Sequence, residues 1–303
     1  MFAIETQNLS FAYSGKRKVV SDLSLQVPDG SIYGFLGPNG AGKTTTIRLL
    51  AAMLVSDADN IFIQGKSLQK HRLEIFKSVG ALIETPSLYL HLTGEENLKI
   101  ITTLRDINAK VIAETLATVG LTHAAKMKVK QYSLGMKQRL GIGMALLPNP
   151  QLLILDEPAN GLDPNGIIEI RELLVRLNKE HGKTIFVSSH LLTEVEKMTT
   201  HIGIIHKGVM RYQGTLQDMK EAAYASGEVV FKIPNTSDYI ESVQQDFPQV
   251  KQVASDELLF AFVDQDGVSS INKQLVSKNI PVAGIHVRGG LEEWFMQIID
   301  KNN

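Results

Sequence analysis

The segment Gly37-Pro38-Asn39-Gly40-Ala41-Gly42-Lys43-Thr44 restricts the fold more than any other stretch of the chain. It has the spacing G-x-x-x-x-G-K-[ST], follows the apolar run IYGFL and precedes TTTIRLLAAML, whose apolar residues recur at helical spacing. A glycine-rich loop between a buried strand and a helix turns its N–H groups inward around phosphate oxygens. The helix start adds the positive end of its dipole. Lys43 can reach the β- and γ-phosphates, the Thr44 hydroxyl can ligate Mg²⁺, and Thr45 follows them into the helix. The segment predicts a nucleoside triphosphate site in an α/β fold.

A second acidic site completes that prediction. Leu152-Leu153-Ile154-Leu155-Asp156-Glu157 reads as a buried strand ending in two carboxylates. Consecutive strand residues face opposite ways, so the two acids are expected to differ in role. Asp156 would hold Mg²⁺ through its water shell. Glu157 would lie beside the γ-phosphate and accept a proton from the attacking water.

Around these motifs the first half alternates strands and helices, the pattern of a mostly parallel sheet. Strands are expected at 31–36, 60–63, 79–83, 152–155, 184–188 and 202–205, with helices after Gly42, Thr93, Ser133, Pro164 and His190. Thr93-Gly94-Glu95-Glu96 has capping-box form and opens a helix-rich insertion over about 93–147. The pattern changes near residue 222, where AYASG (223–227) reads as a flexible linker. The remainder, to residue 303, orders as β-α-β-β-α-β, with strands at 229–233, 250–254, 258–263 and 282–288. In the closing segment, 290–299, Leu291, Trp294, Phe295 and Ile298 share one helical face that packs on its own small domain.

Composition narrows function by exclusion. A formal net charge of −1 gives no bulk electrostatic case for nucleic acid. The absence of cysteine removes disulfides, thiolate metal sites and cysteine nucleophiles. No apolar stretch approaches the roughly 18–20 residues that span a bilayer, and MFAIETQNLS shows no signal-peptide pattern.

Between the motifs lies Tyr132-Ser133-Leu134-Gly135-Met136-Lys137-Gln138-Arg139. Here the chain resembles the ABC-type ATPases, whose signature is L-S-G-G-Q-x-x-R. Ser133, Gly135 and Arg139 match, Leu134 replaces a glycine and Met136 replaces the glutamine. Pro158-Ala159-Asn160-Gly161-Leu162-Asp163 is similar to the family loop whose aspartate, Asp163, crosses a dimer interface; Ala159 stands where threonine is commoner. His190 resembles the histidine that bonds the γ-phosphate, and Tyr13 the aromatic that stacks on adenine. The resemblance covers about residues 1–220. It implies a P-loop NTPase fold: a mostly parallel sheet core, an antiparallel N-terminal β part and an inserted helical subdomain. A small ferredoxin-like α+β domain follows at 223–303.

The resemblance also implies function. The signature Ser133 and Gly135 of one subunit would grip the γ-phosphate held by the phosphate loop of another. With one copy of each motif, the chain is expected to act as a homodimer that closes on ATP and opens after hydrolysis. With no membrane span, it would energise a separate integral-membrane permease from the cytoplasmic face of a bacterial membrane. Two other classes stay open: a soluble ABC ATPase acting on ribosomes or DNA, and a P-loop kinase or other metabolic enzyme. The first is opposed by the lack of a second ATPase half, long coiled coils or a basic arm. The second is opposed by the signature and His190. The flanking motifs and the extra C-terminal domain are most similar to ABC-2-type exporters of the bacitracin-resistance and lantibiotic-immunity subgroup, which export antimicrobial peptides. An exporter of another cargo is the alternative.

That subgroup carries a glutamate where the family usually has glutamine, at the end of the strand leading into the helical subdomain. Glu84, in VGALIETPSLYLHL, occupies that place. Glutamine offers one neutral oxygen and two donors, whereas ionised glutamate offers two acceptors and a charge. Thr44, Glu84 and Asp156 are therefore the expected metal ligands, and Glu84 is expected to make nucleotide engagement more metal-dependent. It would also tune permease coupling through Pro86 and Tyr89.

Overall fold

Every residue of Ile32-Tyr33-Gly34-Phe35-Leu36 is buried, and the side chains divide between the two faces of one sheet. Tyr33 and Phe35 enter one core and Ile32 the other. The same alternation sends Leu152, Ile154 and Phe186 to the first core, and Leu153, Leu155, Ile185 and Val187 to the second. Strands covered on both faces are apolar throughout, which is why these segments lack the alternation of a half-exposed sheet. The structure, a computed structural model, describes residues 1–14, 17–225, 228–261, 265–288 and 291–300. It divides into two compact units, Met1–Gly214 and Thr215–Asn303.

The first unit begins with β1 (Phe2–Thr6), β2 (Leu9–Phe11), β3 (Val20–Leu23), β4 (Gln26–Pro28), β5 (Ile32–Leu36) and α1 (Lys43–Leu50). Next come β6 (Ile61–Ile63), β7 (Lys66–Ser67), α2 (Leu68–Ile75) and β8 (Val79–Leu82). The helices α3 (Gly94–Leu104), α4 (Val111–Thr118) and α5 (Leu134–Leu146) form the inserted subdomain. The unit closes with β9 (Leu152–Leu155), α6 (Pro164–Lys179), β10 (Thr184–Ser189), α7 (Leu192–Glu196), β11 (His201–His206) and β12 (Val209–Thr215).

The central sheet runs β12-β11-β5-β10-β9-β8, and the pairs from β11 to β8 are parallel. A second sheet, β4-β1-β6-β7, is antiparallel. The 60–63 strand belongs there rather than in the parallel series. Ile61 and Ile63 are buried and Phe62 is not, the alternation of a strand with one wet face.

Thr93 and Glu96 close the expected capping box: Thr93 Oγ1 accepts from Glu96 N at 3.2 Å, and Glu96 Oε2 accepts from Thr93 N at 2.7 Å. The inserted helices bury Leu98, Ile112, Leu116 and Leu140 in the second core.

The second unit comprises α8 (Leu216–Ala225), β13 (Glu228–Lys232), α9 (Ile240–Asp246), β14 (Lys251–Ala254), β15 (Glu257–Ala261), α10 (Gln265–Ser277), β16 (Gly284–Arg288) and α11 (Leu291–Asp300). Its sheet order β14-β15-β13-β16, antiparallel throughout, is the split β-α-β arrangement of the ferredoxin-like fold. The expected flexible linker is instead helical to Ala225. Thr215 and Asp218 cap that helix reciprocally, and Met219 and Ala223 are buried. Residues 226–227 of the expected linker, 262–263 of the expected strand and Gly290 lie outside the described residues. On α11, Leu291 and Ile299 are buried, with Trp294, Phe295 and Ile298 half-buried beside them.

Candidate functional site

Because β5, β10, β9 and β8 are parallel, their C-terminal ends share one edge of the sheet, where α/β proteins bind ligands. The phosphate loop leaves β5, His190 follows β10, Asp156 and Glu157 follow β9, and Glu84 lies just past β8.

The loop needs its glycines. Gly42 has φ +108°, and a Cβ there would lie 2.9 Å from the Val19 carbonyl. At Gly37 a Cβ would meet the Ile205 carbonyl at 2.3 Å. Gly42 also caps α1 without any side-chain hydrogen bond, so the first donors of that helix are left for an anion. Pro38, Asn39, Gly40 and Ala41 complete the loop, with Ala41 N donating to the Pro38 carbonyl at 3.1 Å.

Lys43 is buried, and its Nζ folds back to donate to the Gly37 carbonyl at 2.7 Å. The same Nζ stands 3.1 Å from Glu157 Oε1, while Glu157 Oε2 accepts from His190 Nδ1 at 2.5 Å. Glu157 thus spans Lys43 and His190. It does so from a left-handed backbone, φ +46°, an uncommon conformation for a side chain of this size. The two acids are therefore parted by a turn, not by strand alternation: β9 ends at Leu155, and Asp156 makes one more backbone bond to the Leu82 carbonyl.

Sequence reasoning missed Ser188. Its hydroxyl donates to Asp156 Oδ1 at 2.6 Å and accepts from Glu157 N at 2.9 Å, so one fully buried side chain orients both acids. A serine ending the strand beside an Asp-Glu pair was the available signal. Arg48 was also missed. It pairs with Glu84, so that carboxylate is engaged by a cation of α1. Glu84 and then the Tyr13 hydroxyl hold the Arg48 guanidinium above its ordinary pKa. Tyr13 packs edge-on against Phe11, with its hydroxyl 3.4 Å from Thr45 Oγ1.

Ser133, Gly135 and Asp163 assemble separately. Ser133 Oγ caps α5 by accepting from Met136 N at 3.2 Å, and Asp163 Oδ1 caps α6 by accepting from Gly166 N at 3.0 Å. Leu162 and Gly166 are the neighbours of Gly135, placing the two helix starts together. The phosphate loop and the signature helix start are therefore two separate clusters of the chain.

The donor set suits Mg²⁺. The Thr44 hydroxyl and the Asp156 carboxylate are hard oxygen ligands, and this ion is usually held by one or two carboxylates together with substrate phosphates. Among the described residues no cluster of three or more His, Asp or Glu forms a metal cage by itself. Bound there, the ion would neutralise phosphate charge, with Thr44 and Asp156 holding it. Glu84, the third expected ligand, has its Oε1 engaged by Arg48.

The ABC transporter family model matches residues 20–160. The chain is 40% identical to the bacitracin transport ATP-binding protein BcrA of Bacillus licheniformis, over 98% of this chain and 97% of that protein. It is 42% identical to the lantibiotic transport ATP-binding protein SrtF of Streptococcus pyogenes, over 68% of this chain and 87% of that one. A solved ATP-binding subunit of an ABC transporter superposes with a TM-score of 0.64 at 30% identity, covering 73% of this chain and 92% of that structure. With its phosphate loop, acid pair and signature helix so arranged, the chain belongs to the ABC transporter family as an ATP-binding, ATP-hydrolysing subunit.

Proposed function

We propose that the protein powers export of membrane-active antimicrobial peptides, of the bacitracin or lantibiotic type, through a separate membrane permease. The observation that carries this reading is the end-to-end similarity to the bacitracin transport subunit, which includes the C-terminal unit as well as the ATPase unit. The similarity to the lantibiotic transport subunit, over 68% of this chain, supports the same cargo class. No helix among the described residues is long and apolar enough to cross a membrane, and in this reading a partner supplies the transport path.

In this reading two copies face each other, each completing the other's phosphate-loop half with Ser133 and Gly135. Asp163 lies at the junction between them. Adenine stacks on Tyr13. Lys43 and the loop N–H groups hold the phosphates, Thr44 and Asp156 hold Mg²⁺, Glu157 takes the proton from water, and His190 senses the γ-phosphate. The pair would sit at the cytoplasmic face of the membrane.

The test is expression in a peptide-sensitive bacterium together with a multi-span permease drawn from the same genome. Resistance to bacitracin or a lantibiotic should rise with the intact pair and not with Glu157→Gln. Membrane recovery and ATP turnover without any peptide resistance would point to another exported cargo. Recovery with ribosomes instead of membranes would defeat the transport reading.

A further inference from the structure

Four side chains from three separate segments meet beside the phosphate loop. Arg48, on α1, pairs with Glu84 in the loop after β8. One turn earlier on the same helix, Thr45 Oγ1 lies 3.4 Å from the hydroxyl of Tyr13, which follows β2. Residues three apart on a helix share a face, so Thr45 and Arg48 together offer Tyr13 one polar surface. The Tyr13 ring is 36% exposed and held edge-on by Phe11 at 5.0 Å, leaving a face open for stacking.

The Arg48–Glu84 pair does little for stability. Both side chains are partly exposed, at 35% and 56%, and such pairs are screened by solvent. Glu84 is nevertheless held in a demanding position. Its φ is +60°, and two residues on, Pro86 packs on Gly141 so closely that a Cβ there would lie 2.6 Å away. The carboxylate therefore stands at a joint between the sheet edge and the helical subdomain. A shift of α5 would move Pro86, and with it Glu84.

We infer that Arg48 is a positioning residue: held by Glu84, it fixes Tyr13 for base stacking, so the grip on adenine depends on where the loop after β8 stands. A bidentate, always-charged guanidinium can bridge a carboxylate and a phenol oxygen at once. If a metal, a partner or a movement of α5 draws Glu84 away, Arg48 loses its anchor and Tyr13 its support. The phosphates can stay bound while the hold on the base weakens. The inference rests on Tyr13 being the base-facing ring.

The test compares equilibrium binding of ATP with that of inorganic tripolyphosphate, both with EDTA present, by calorimetry on the full chain. The ratio of the two affinities isolates the base contribution and cancels the direct effect of changing a charge near phosphates. Arg48→Met and Glu84→Gln should each lower the ratio by about three- to tenfold, the size expected for a contact-pair coupling. The double variant should be no worse than Arg48→Met alone. Tyr13→Ala serves as the reference. An unchanged ratio in Tyr13→Ala overturns the base-stacking assignment and the inference with it. A lowered ratio in Tyr13→Ala with an unchanged one in Arg48→Met or Glu84→Gln overturns the inference alone. Multiplying losses in the double variant also overturn it, since independent effects would then explain both singles.

Discussion

Lys43 Nζ stands 3.1 Å from Glu157 Oε1, pairing the cation proposed to bind phosphate with the carboxylate proposed to activate water. In this arrangement the two groups neutralise each other. In the proposed reading, phosphate oxygens of ATP would compete with Glu157 for Lys43, and capture of Lys43 would free the carboxylate to face the γ-phosphate.

Glu157→Gln should accordingly bind ATP at least as tightly as the wild-type protein, because a negative competitor for Lys43 is removed. Its hydrolysis should fall by about 10²–10⁴-fold, the usual cost of losing a general base. Calorimetry and single-turnover hydrolysis separate the two effects. Near-normal turnover would remove Glu157 from the base role.

Ser188→Ala strips the hydroxyl shared by Asp156 and the Glu157 amide. An unpaired buried polar group costs about 1–3 kcal/mol, so the urea midpoint should drop by that equivalent. Hydrolysis should fall as well, since both acids lose their common support. A loss of stability with turnover unchanged would show that Ser188 serves the fold only.

Phe186 lies between Tyr33 and Phe35, with ring centroids at 5.7 Å and 5.3 Å, and is fully buried. Phe186→Ala leaves a cavity at the centre of the first core and should cost about 3–5 kcal/mol in denaturant unfolding. A change below about 1 kcal/mol would mean the sheet relaxes to fill the space.

Glu96 is held below the usual carboxylate pKa by the Thr93 backbone N–H and then the Thr93 side chain. A folded-state value below the unfolded one contributes stability above the unfolded pKa, and that contribution disappears as pH falls through the folded value. The stability difference between wild type and Glu96→Gln should therefore be largest at neutral pH and shrink in strong acid. A difference that is constant across that range would show that the cap works through shape and hydrogen bonding alone.

Much of the site is legible in the residues. The G-x-x-x-x-G-K-T spacing of Gly37–Thr44 reads as a phosphate loop, and Gly37 and Gly42 stand where a Cβ would press on the Ile205 and Val19 carbonyls. The apolar run at 152–155 and the largely apolar one at 184–188 read as strands covered on both faces, and both are buried along their length. The capping box at Thr93 marked its helix to the residue. Local chemistry decides these features, so the sequence displays them.

Other features depend on distance in space. The AYASG stretch reads as a linker by composition, yet packing of Met219 and Ala223 and the Thr215–Asp218 cap make most of it helix. Ser188 is an ordinary strand serine until β10 pairs with β9 and sets it against Asp156. Glu84 reads as a charge free to meet a metal, but α1 brings Arg48 onto it. By itself the sequence marked the candidate phosphate-binding groups, because that chemistry lies within single loops and helix starts. The tertiary structure alone decided how those groups restrain one another, because Lys43–Glu157, Ser188–Asp156 and Arg48–Glu84 each join segments that only the parallel sheet and its helices bring together.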